Sequence, residues 1–450
     1  MSNVVTTHST QEKVTVTGRQ FRSAMVASVL GWSFDLYDLF LLLFVAPTIS
    51  ALFFPTSSPT ISLAAVYASF AVTLLMRPLG SAIFGSYADK NGRKKAMIVA
   101  VVGVGVSTAA FGLLPTVPQI GFMAAIIFLI LRLVQGVFVG GVVASTHTIG
   151  TESASPKWRG LMSGLIGGGG AGLGALFASL TFTIVSAIFP GEAFNEWGWR
   201  VMFLTGILGA GAGLFVFRSL NESPLWVQLR EENKVKDEKN KDQEVVLEQS
   251  PLKMFFKKYS RVLIVNLMIV IGGGSGYYLT SGFIPTFLKV VNKVSPEVLS
   301  GVLISTSIVT IIAALLFGHI SELIGRKKTF LLVGVLNIIG LPYFYLALAD
   351  SVTTFSIYLN AMGLVFLGNA AYAPVLIFLN ERFPTAIRST GTGVSWNMGF
   401  ALGGMMPTFV TLASGTVENI PNTLMYFAIG IFLVYIIGSF IVPETRGNLK

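Results

Sequence analysis

The chain has 450 residues, 53% of them hydrophobic and only 12% charged, with 35 Phe and a mean hydropathy of +0.73. So little polar surface cannot cover so much apolar mass in water, which excludes a soluble monomer and makes lipid the solvent. There is no cysteine and the three His lie in separate segments, which removes disulfides, thiolate metal centres and a zinc site; the net charge of +10 is read below from where the basic residues fall.

A bilayer core is crossed by roughly 20 apolar residues of helix. Windows of that kind fall at 24–46, 62–86, 96–114, 120–150, 161–189, 200–217, 262–287, 299–320, 329–349, 355–380, 392–413 and 423–442. The fold class expected is therefore an all-α integral membrane protein, with twelve transmembrane helices in two six-helix bundles. The corresponding division is an N-terminal tail (1–20), a first bundle (21–218), a linker (219–258), a second bundle (259–443) and a short tail (444–450). The N-terminal tail is polar and lacks a charged start followed by a short apolar run, so the first span, rather than a cleaved signal, is expected to direct insertion.

The first span carries the most chemistry, in Gly31-Trp32-Ser33-Phe34-Asp35-Leu36-Tyr37-Asp38-Leu39-Phe40. Asp35 and Asp38 are the only carboxylates well inside any span, and at a separation of three they share a helix face. An ionised aspartate at mid-helix costs roughly 2.5–3.5 kcal/mol on insertion scales, and a like charge beside it adds to that. At least one of the pair is thus expected to hold a proton much of the time, as a proton-coupling site requires. The structural alternative is an Asp that only balances a buried arginine.

Arg77 in the second span and Arg132 in the fourth are the available arginines. A guanidinium fork accepts a carboxylate through two parallel hydrogen bonds, so each is a candidate for an anionic substrate or a partner for Asp35 and Asp38. Between the second and third spans stands Gly85-Ser-Tyr-Ala-Asp89-Lys-Asn-Gly92-Arg93-Lys94-Lys95. Small residues let helices approach, and Asp89 suits a helix N-terminus or an arginine of the other half. His147 near the end of the fourth span is a candidate for proton or anion contact.

The loop after the fourth span holds Glu152, Pro156 and Arg159, and the fifth span a glycine run, Gly167–Gly170. Neither this run nor Gly272–Gly274 ends in the Lys-Ser/Thr of a nucleotide loop, so no ATPase engine is read. The linker alternates acids and bases from Glu231 to Glu244 and is too polar to span; a tether at the membrane surface is the plain reading.

The second half repeats the first. Gly318-His-Ile-Ser-Glu322-Leu-Ile-Gly325-Arg326-Lys327-Lys328 answers the loop at Gly85, and Glu381, Pro384 and Arg388 answer Glu152, Pro156 and Arg159 at nearly the same offset. Gating is assigned to both sets, led by Asp89 and Glu322. The spans of this half hold neutral polar groups, among which Tyr278, Asn369 and Asn397 are the substrate-pocket candidates.

Of the 31 lysines and arginines, all but Arg77, Arg132, Arg200, Lys289 and Lys293 fall in segments that share one side if the N-terminus is cytoplasmic. That asymmetry puts both termini inside a plasma (inner) membrane, and a basic face against anionic lipid accounts for the net charge without nucleic acid.

The Gly85–Lys95 loop resembles the signature of the major facilitator superfamily, and Arg132-Leu133-Val134-Gln135-Gly136 is similar to its fourth-helix motif. Arg77-Pro78-Leu79-Gly80, Glu222-Ser223-Pro224, Pro251-Leu252-Lys253, Gly276-Tyr277-Tyr278 and the run from Glu381 to Gly391 resemble the metabolite:proton symporter branch and its sialate and carboxylate relatives. The resemblance implies a structural and proton-coupling role for Arg132, and Asp35-Leu36-Tyr37-Asp38 looks like that branch's acid-Trp-Tyr-Asp with Leu for Trp. The chain departs from it at Gly140-Gly141-Val142-Val143, where many relatives place an acid. His147 stands near the place where some carboxylate carriers have a His.

The expected function is a proton-coupled symporter that imports a small organic acid or zwitterion by rocking two bundles about a central site. No cofactor, no metal and no catalytic grouping is expected, and the superfamily resemblance favours a monomer. A sugar or phosphate carrier of the same fold is the nearest alternative, and a non-transporting sensor the next.

Overall fold

The computed structural model of the chain describes residues 18–56, 59–218, 220–239 and 251–449. Helices dominate because backbone groups in a bilayer must find their partners within the segment. The first bundle contains α1 (Gly18–Phe53), α2 (Pro59–Asn91), α3 (Arg93–Phe111), α4 (Met123–Glu152), α5 (Pro156–Ile188) and α6 (Phe194–Phe215). The second contains α7 (Ser260–Val290), α8 (Pro296–Ile324), α9 (Arg326–Ala349), α10 (Thr354–Arg382), α11 (Arg388–Gly404) and α12 (Ile420–Ile441).

Among the described residues, eleven helices are long and apolar enough to cross a membrane. The remaining expected span, 392–413, is broken. α11 ends at Gly404 and a second helix, Met406–Ser414, continues after Met405. Pro407 is the physical cause, since it has no N–H to return to the carbonyl of Gly403. The glycine run of α5 and the stretch Tyr278–Gly282 of α7 each form a π-turn, so these helices change pitch where the two bundles meet. The start of α10 is fixed by a capping box, in which Thr353 Oγ1 accepts from Ser356 N at 3.2 Å.

The bundles meet chiefly through α2 against α11 and α5 against α8. Exposed apolar side chains such as Leu208 and Phe215 on α6, Ile339 and Tyr343 on α9, and Tyr426 and Phe440 on α12 form the outer surface that lipid would cover. Inside the first bundle α2 and α4 pack at backbone contact. A Cβ on Gly140 would overlap the carbonyl of Arg77 and lie 2.8 Å from the amide of Ser81. Gly140→Val is therefore expected to cost about 1–3 kcal/mol or more by overpacking, read as a lowered melting temperature. Gly211→Ala, where nothing lies within 4 Å, is the control and should leave it unchanged.

Two sequence expectations are narrowed. The linker is not a plain tether at its start: Leu220 and Ser223 are buried, and Trp226 of the helix Pro224–Lys239 donates through Nε1 to the carbonyl of Asp89 at 2.8 Å. Residues 240–250 and Ser219, with most of the N-terminal tail, lie outside the described residues. The tail after α12 is likewise docked, with Thr445 and Leu449 buried.

Candidate functional site

The basic motifs of both halves lie at one end of the molecule, and there the two bundles are clasped shut. Asp89, at the end of α2, accepts from the first amides of α11 in the other bundle: Ser389 N at 3.2 Å, Thr390 N at 2.9 Å and Thr390 Oγ1 at 2.8 Å. A carboxylate at a helix N-terminus meets unpaired amides and the positive end of the helix dipole. Of the two partners expected for Asp89, the helix N-terminus is the one found across the interface. Its arginine is the nearby Arg93, at 3.2 Å, which also donates to Thr385 O of the second half at 2.8 Å. Arg93 Nε lies 3.4 Å from Glu152, and Glu152 in turn accepts from Arg388 Nη1 at 2.5 Å. Glu152 thus pairs across the interface and not with Arg159 of its own motif.

The second half builds the mirror clasp. Glu322 at the end of α8 accepts from Gly160 N in the first turn after the Pro156 bend of α5, at 2.8 Å, and from Arg326 at 2.8 Å. Arg326 reaches Glu381 through Nε at 3.0 Å and Nη2 at 2.9 Å. Symmetry fails at one point. Arg159 does not bridge to Glu381; its Nη1 donates to the carbonyl of Leu449 in the docked tail at 2.8 Å. Gly92 and Gly325 turn the chain into the third and ninth helices with φ of 105° and 97°, a region that strains any residue with a Cβ.

Each of these turns is capped by an acid the loop motifs do not contain. Glu222 accepts from Arg93 N at 2.9 Å and Lys94 N at 3.2 Å, and Glu444 from Arg326 N at 2.9 Å and Lys327 N at 3.1 Å. Partial burial opposes the charged form of Glu444, but the amides of Arg446, Arg326, Lys327 and Thr445 outweigh it and hold the carboxyl below its ordinary range. Ser223 donates to Glu152, and Thr445 to Glu381 at 2.9 Å. Sequence reading noted Glu222-Ser223 and missed its counterpart, Glu444-Thr445. The signal was present: both pairs follow the sixth span of their own half.

Deeper in, a neutral polar layer continues the seal. His147 meets Ser163 at 3.2 Å through Nε2 and Asn380 Nδ2 at 3.0 Å through Nδ1. Asn397 donates to Ser81 at 2.6 Å. These groups are fully buried, and His147 and Asn397, picked as substrate candidates, are not among the residues that line the cavity described below. Val142, where relatives were expected to carry an acid, packs in an apolar cluster with Met97, Ala100 and Val101.

Above that layer, rings from both bundles form a floor. Trp32 of α1 stands edge-on to Trp396 of α11 at 5.5 Å; Trp396 stacks on Phe400 at 4.0 Å; Tyr372 lies 5.1 Å from Trp396 and 5.5 Å from Tyr277. Tyr278 packs edge-on to Phe400 at 5.9 Å and Phe70 at 6.1 Å. The charged groups of the first bundle are buried in the same region. Arg77 Nη1 is 3.9 Å from Asp35 Oδ2, beyond hydrogen-bond reach, and Asp35 Oδ1 and Arg77 Nε have no partner. Asp38 is tied more firmly: Thr108 Oγ1 donates to it at 2.8 Å, Gln135 Nε2 donates to Thr108 at 3.1 Å, and Gln135 accepts from Arg132 at 2.7 Å. The Arg132 guanidinium lies over the Phe111 ring at 4.4 Å. Arg132 therefore belongs to the interior of the first bundle.

From the floor a partly open cavity leads toward the end opposite the clasp. Its walls include Phe40 and Phe44 of α1, Tyr277, Ser281 and Lys289 of α7, and Thr306 and Thr310 of α8. Asn369 approaches from behind, donating to Ser281 Oγ at 3.0 Å and Thr310 Oγ1 at 3.3 Å.

Residues 23–449 match the family described as "Sugar (and other) transporter". The chain belongs to this family. The transporter is 31% identical to a proline/betaine transporter of Escherichia coli (strain K12), over 95% of this chain and 85% of the relative. It is 28% identical to a glycine betaine/proline/ectoine/pipecolic acid transporter of Dickeya dadantii (strain 3937), over 95% and 84%. An inner membrane metabolite transport protein of Escherichia coli (strain K12) is 28% identical over 94% of each chain. In fold it is similar to a major facilitator superfamily proton:xylose symporter bound to a bromo-deoxy-glucose, with a TM-score of 0.73 over 95% of this chain and 97% of that one at 18% identity. The chain is thus a multi-pass membrane transporter of the major facilitator fold and not an enzyme.

Of the transporter's sequence-picked pocket residues, Tyr278 is in the floor, Arg77 is buried beside Asp35 in the same region, and Asn369 braces the cavity wall. Cavity-lining residues not picked include Tyr277, Ser281, Lys289 and Phe40. A periodic signal existed on α7, where Tyr277, Ser281 and Lys289 recur at multiples of four.

Proposed function

We propose that this transporter moves a small zwitterion or carboxylate together with protons, from the side its cavity faces to the side its clasp closes. The observation that carries the reading is the loosened Asp35–Arg77 pair beside a floor of aromatic rings. Ring faces attract a quaternary or secondary ammonium, and a guanidinium receives a carboxylate. One molecule bearing both groups satisfies both features.

The same pair supplies a coupling step. A proton on the free Oδ1 of Asp35 neutralises it and releases Arg77 for the substrate carboxylate. With a carboxylate the loaded centre then carries no unpaired charge as the bundles rock and the clasp of Asp89 and Glu322 opens; with a zwitterion the one remaining positive charge, its ammonium, is held by the ring faces. On the far side, loss of the proton lets Asp35 recapture Arg77, and the substrate leaves. Asp38 is held by Thr108, and its role is to fix the charge of Arg132 next to this event.

The relatives named for proline, betaine and ectoine support a zwitterion over a sugar, and the basic loops at the clasp support a cytoplasmic clasp. The test is uptake of labelled proline, glycine betaine, a small carboxylate panel, xylose and phosphate into proteoliposomes, with and without an imposed pH gradient. Gradient-driven accumulation of a zwitterion or carboxylate is expected. Accumulation of xylose or phosphate alone would overturn the substrate class, and no accumulation of any solute would favour a sensor.

A further inference from the structure

Four helices line the cavity, with small residues from α5 and Thr306, Ser307 and Thr310 from α8, and its α1 and α7 walls are unlike. On α1 it presents the phenyl rings of Phe40 and Phe44; on α7 it presents Tyr277, Ser281, Pro285 and Lys289, which recur every fourth residue from the floor to the mouth. Among the described residues Lys289 forms no ion pair and no hydrogen bond, and it is the only charged side chain in the cavity lining. A lysine placed at the end of a span for anchoring would turn to headgroups or pair with an acid. Lys289 is exposed at the end of its helix and also contributes to the cavity lining, which places it at the mouth.

Below it, Ser281 is set as a donor. Its oxygen already accepts from Asn369 Nδ2 at 3.0 Å, which leaves its proton for something inside the cavity. The Tyr277 hydroxyl is buried and has no partner. A cation and two hydroxyl donors thus stand along one helix, opposite aromatic rings that carry no polar atom.

From this arrangement we infer that Lys289 and Ser281 form an entry site that captures the carboxylate of the incoming solute at the cavity mouth, while its methylated or ring end lies against Phe40 and Phe44. The inference rests on the zwitterion reading above and deepens it by fixing which end of the solute each wall takes. The carboxylate passes from Lys289 to Ser281 and Tyr277, and so arrives carboxylate-first at the floor near Arg77. Lys289 acts on capture and not on coupling. Its ammonium is a compact charge on a flexible stem, suited to holding an anion briefly and releasing it.

The test is the half-saturation for labelled glycine betaine and labelled proline applied to the cavity side of proteoliposomes, in wild type, K289Q, K289R and S281A. K289Q is expected to raise half-saturation about tenfold with little change in maximal rate, K289R to restore it, and S281A to raise it about threefold. The wild-type half-saturation should also rise with ionic strength, and that of K289Q should not. Counterflow at saturating substrate confirms that each variant is folded. An unchanged half-saturation in K289Q, or a loss that Arg does not restore, overturns the assignment of Lys289. Wild type that moves neither probe would sink the zwitterion reading instead, before any variant is compared.

Discussion

Asp35→Asn is expected to abolish gradient-driven accumulation while counterflow of the same substrate continues within a few-fold of wild type. One proton moving down a gradient of one pH unit supplies about 1.4 kcal/mol, enough for about tenfold accumulation at one proton per substrate. An amide has the shape of the protonated acid and cannot lose its proton, so Arg77 stays released throughout the cycle. The accumulation ratio in the variant should therefore fall to about one. Measurement is by labelled substrate in proteoliposomes, first with an imposed gradient and then with preloaded unlabelled substrate. Wild-type accumulation in Asp35→Asn would show that the proton travels elsewhere, and Asp38→Asn is then the variant to compare. Asp38 is the weaker choice, because it already accepts from Thr108 and connects through Gln135 to Arg132.

Asp89→Asn is expected to open the clasped end. The carboxylate receives three donors from Ser389 and Thr390 at the start of α11. In Asn one of the two acceptors becomes an NH₂ donor that faces an N–H, and the charge at the helix N-terminus is lost. Hydrogen bonds to a charged group are worth about 1.5–3 kcal/mol each, and a net loss of about 3 kcal/mol shifts a two-state population about a hundredfold. The chain contains no cysteine, so one introduced thiol reports alone. Ser81 is buried at the interface against Asn397, and Ser81→Cys should react slowly with a maleimide from the clasp side. In the Asp89→Asn background that rate should rise strongly. An unchanged rate would mean that the mirror clasp at Glu322, or the Arg93–Glu152–Arg388 chain, holds the end closed without Asp89.

Spans, duplication and the interface motifs were legible because each rests on a local rule. Apolar windows mark helices, and a small-residue loop with an acid and a basic run repeats in both halves. Asp89, Arg93, Glu322 and Arg326 occupy the interface that their motif predicted. What the sequence concealed was pairing between distant segments. Glu152 and Arg159 are neighbours in the chain, yet Glu152 bonds to Arg388 and Arg159 to Leu449. Nothing local distinguishes those partners from each other.

The pocket was the least legible part. Charged and amide residues stand out in an apolar chain, and His147, Arg132 and Asn397 are found buried and hydrogen-bonded within the helix packing, outside the lining of the cavity. The cavity itself is built from rings and hydroxyls that look like ordinary helix filling. Lys289 falls just beyond the expected span 262–287, at the end of α7, where an anchoring lysine would also sit. Only the fold separates the two readings, by showing which face of α7 borders the cavity. The break of α11 at Met405 was similarly hidden, although Pro407 carried the signal.

The central claim is that substrate and proton cross together through Asp35 and Arg77. It is tested most directly by adding glycine betaine or proline to weakly buffered proteoliposomes and recording the outside pH. Wild type should alkalinise the medium as substrate enters, and Asp35→Asn should give no pH change while still exchanging substrate. Net uptake by wild type with a flat pH trace would contradict the account.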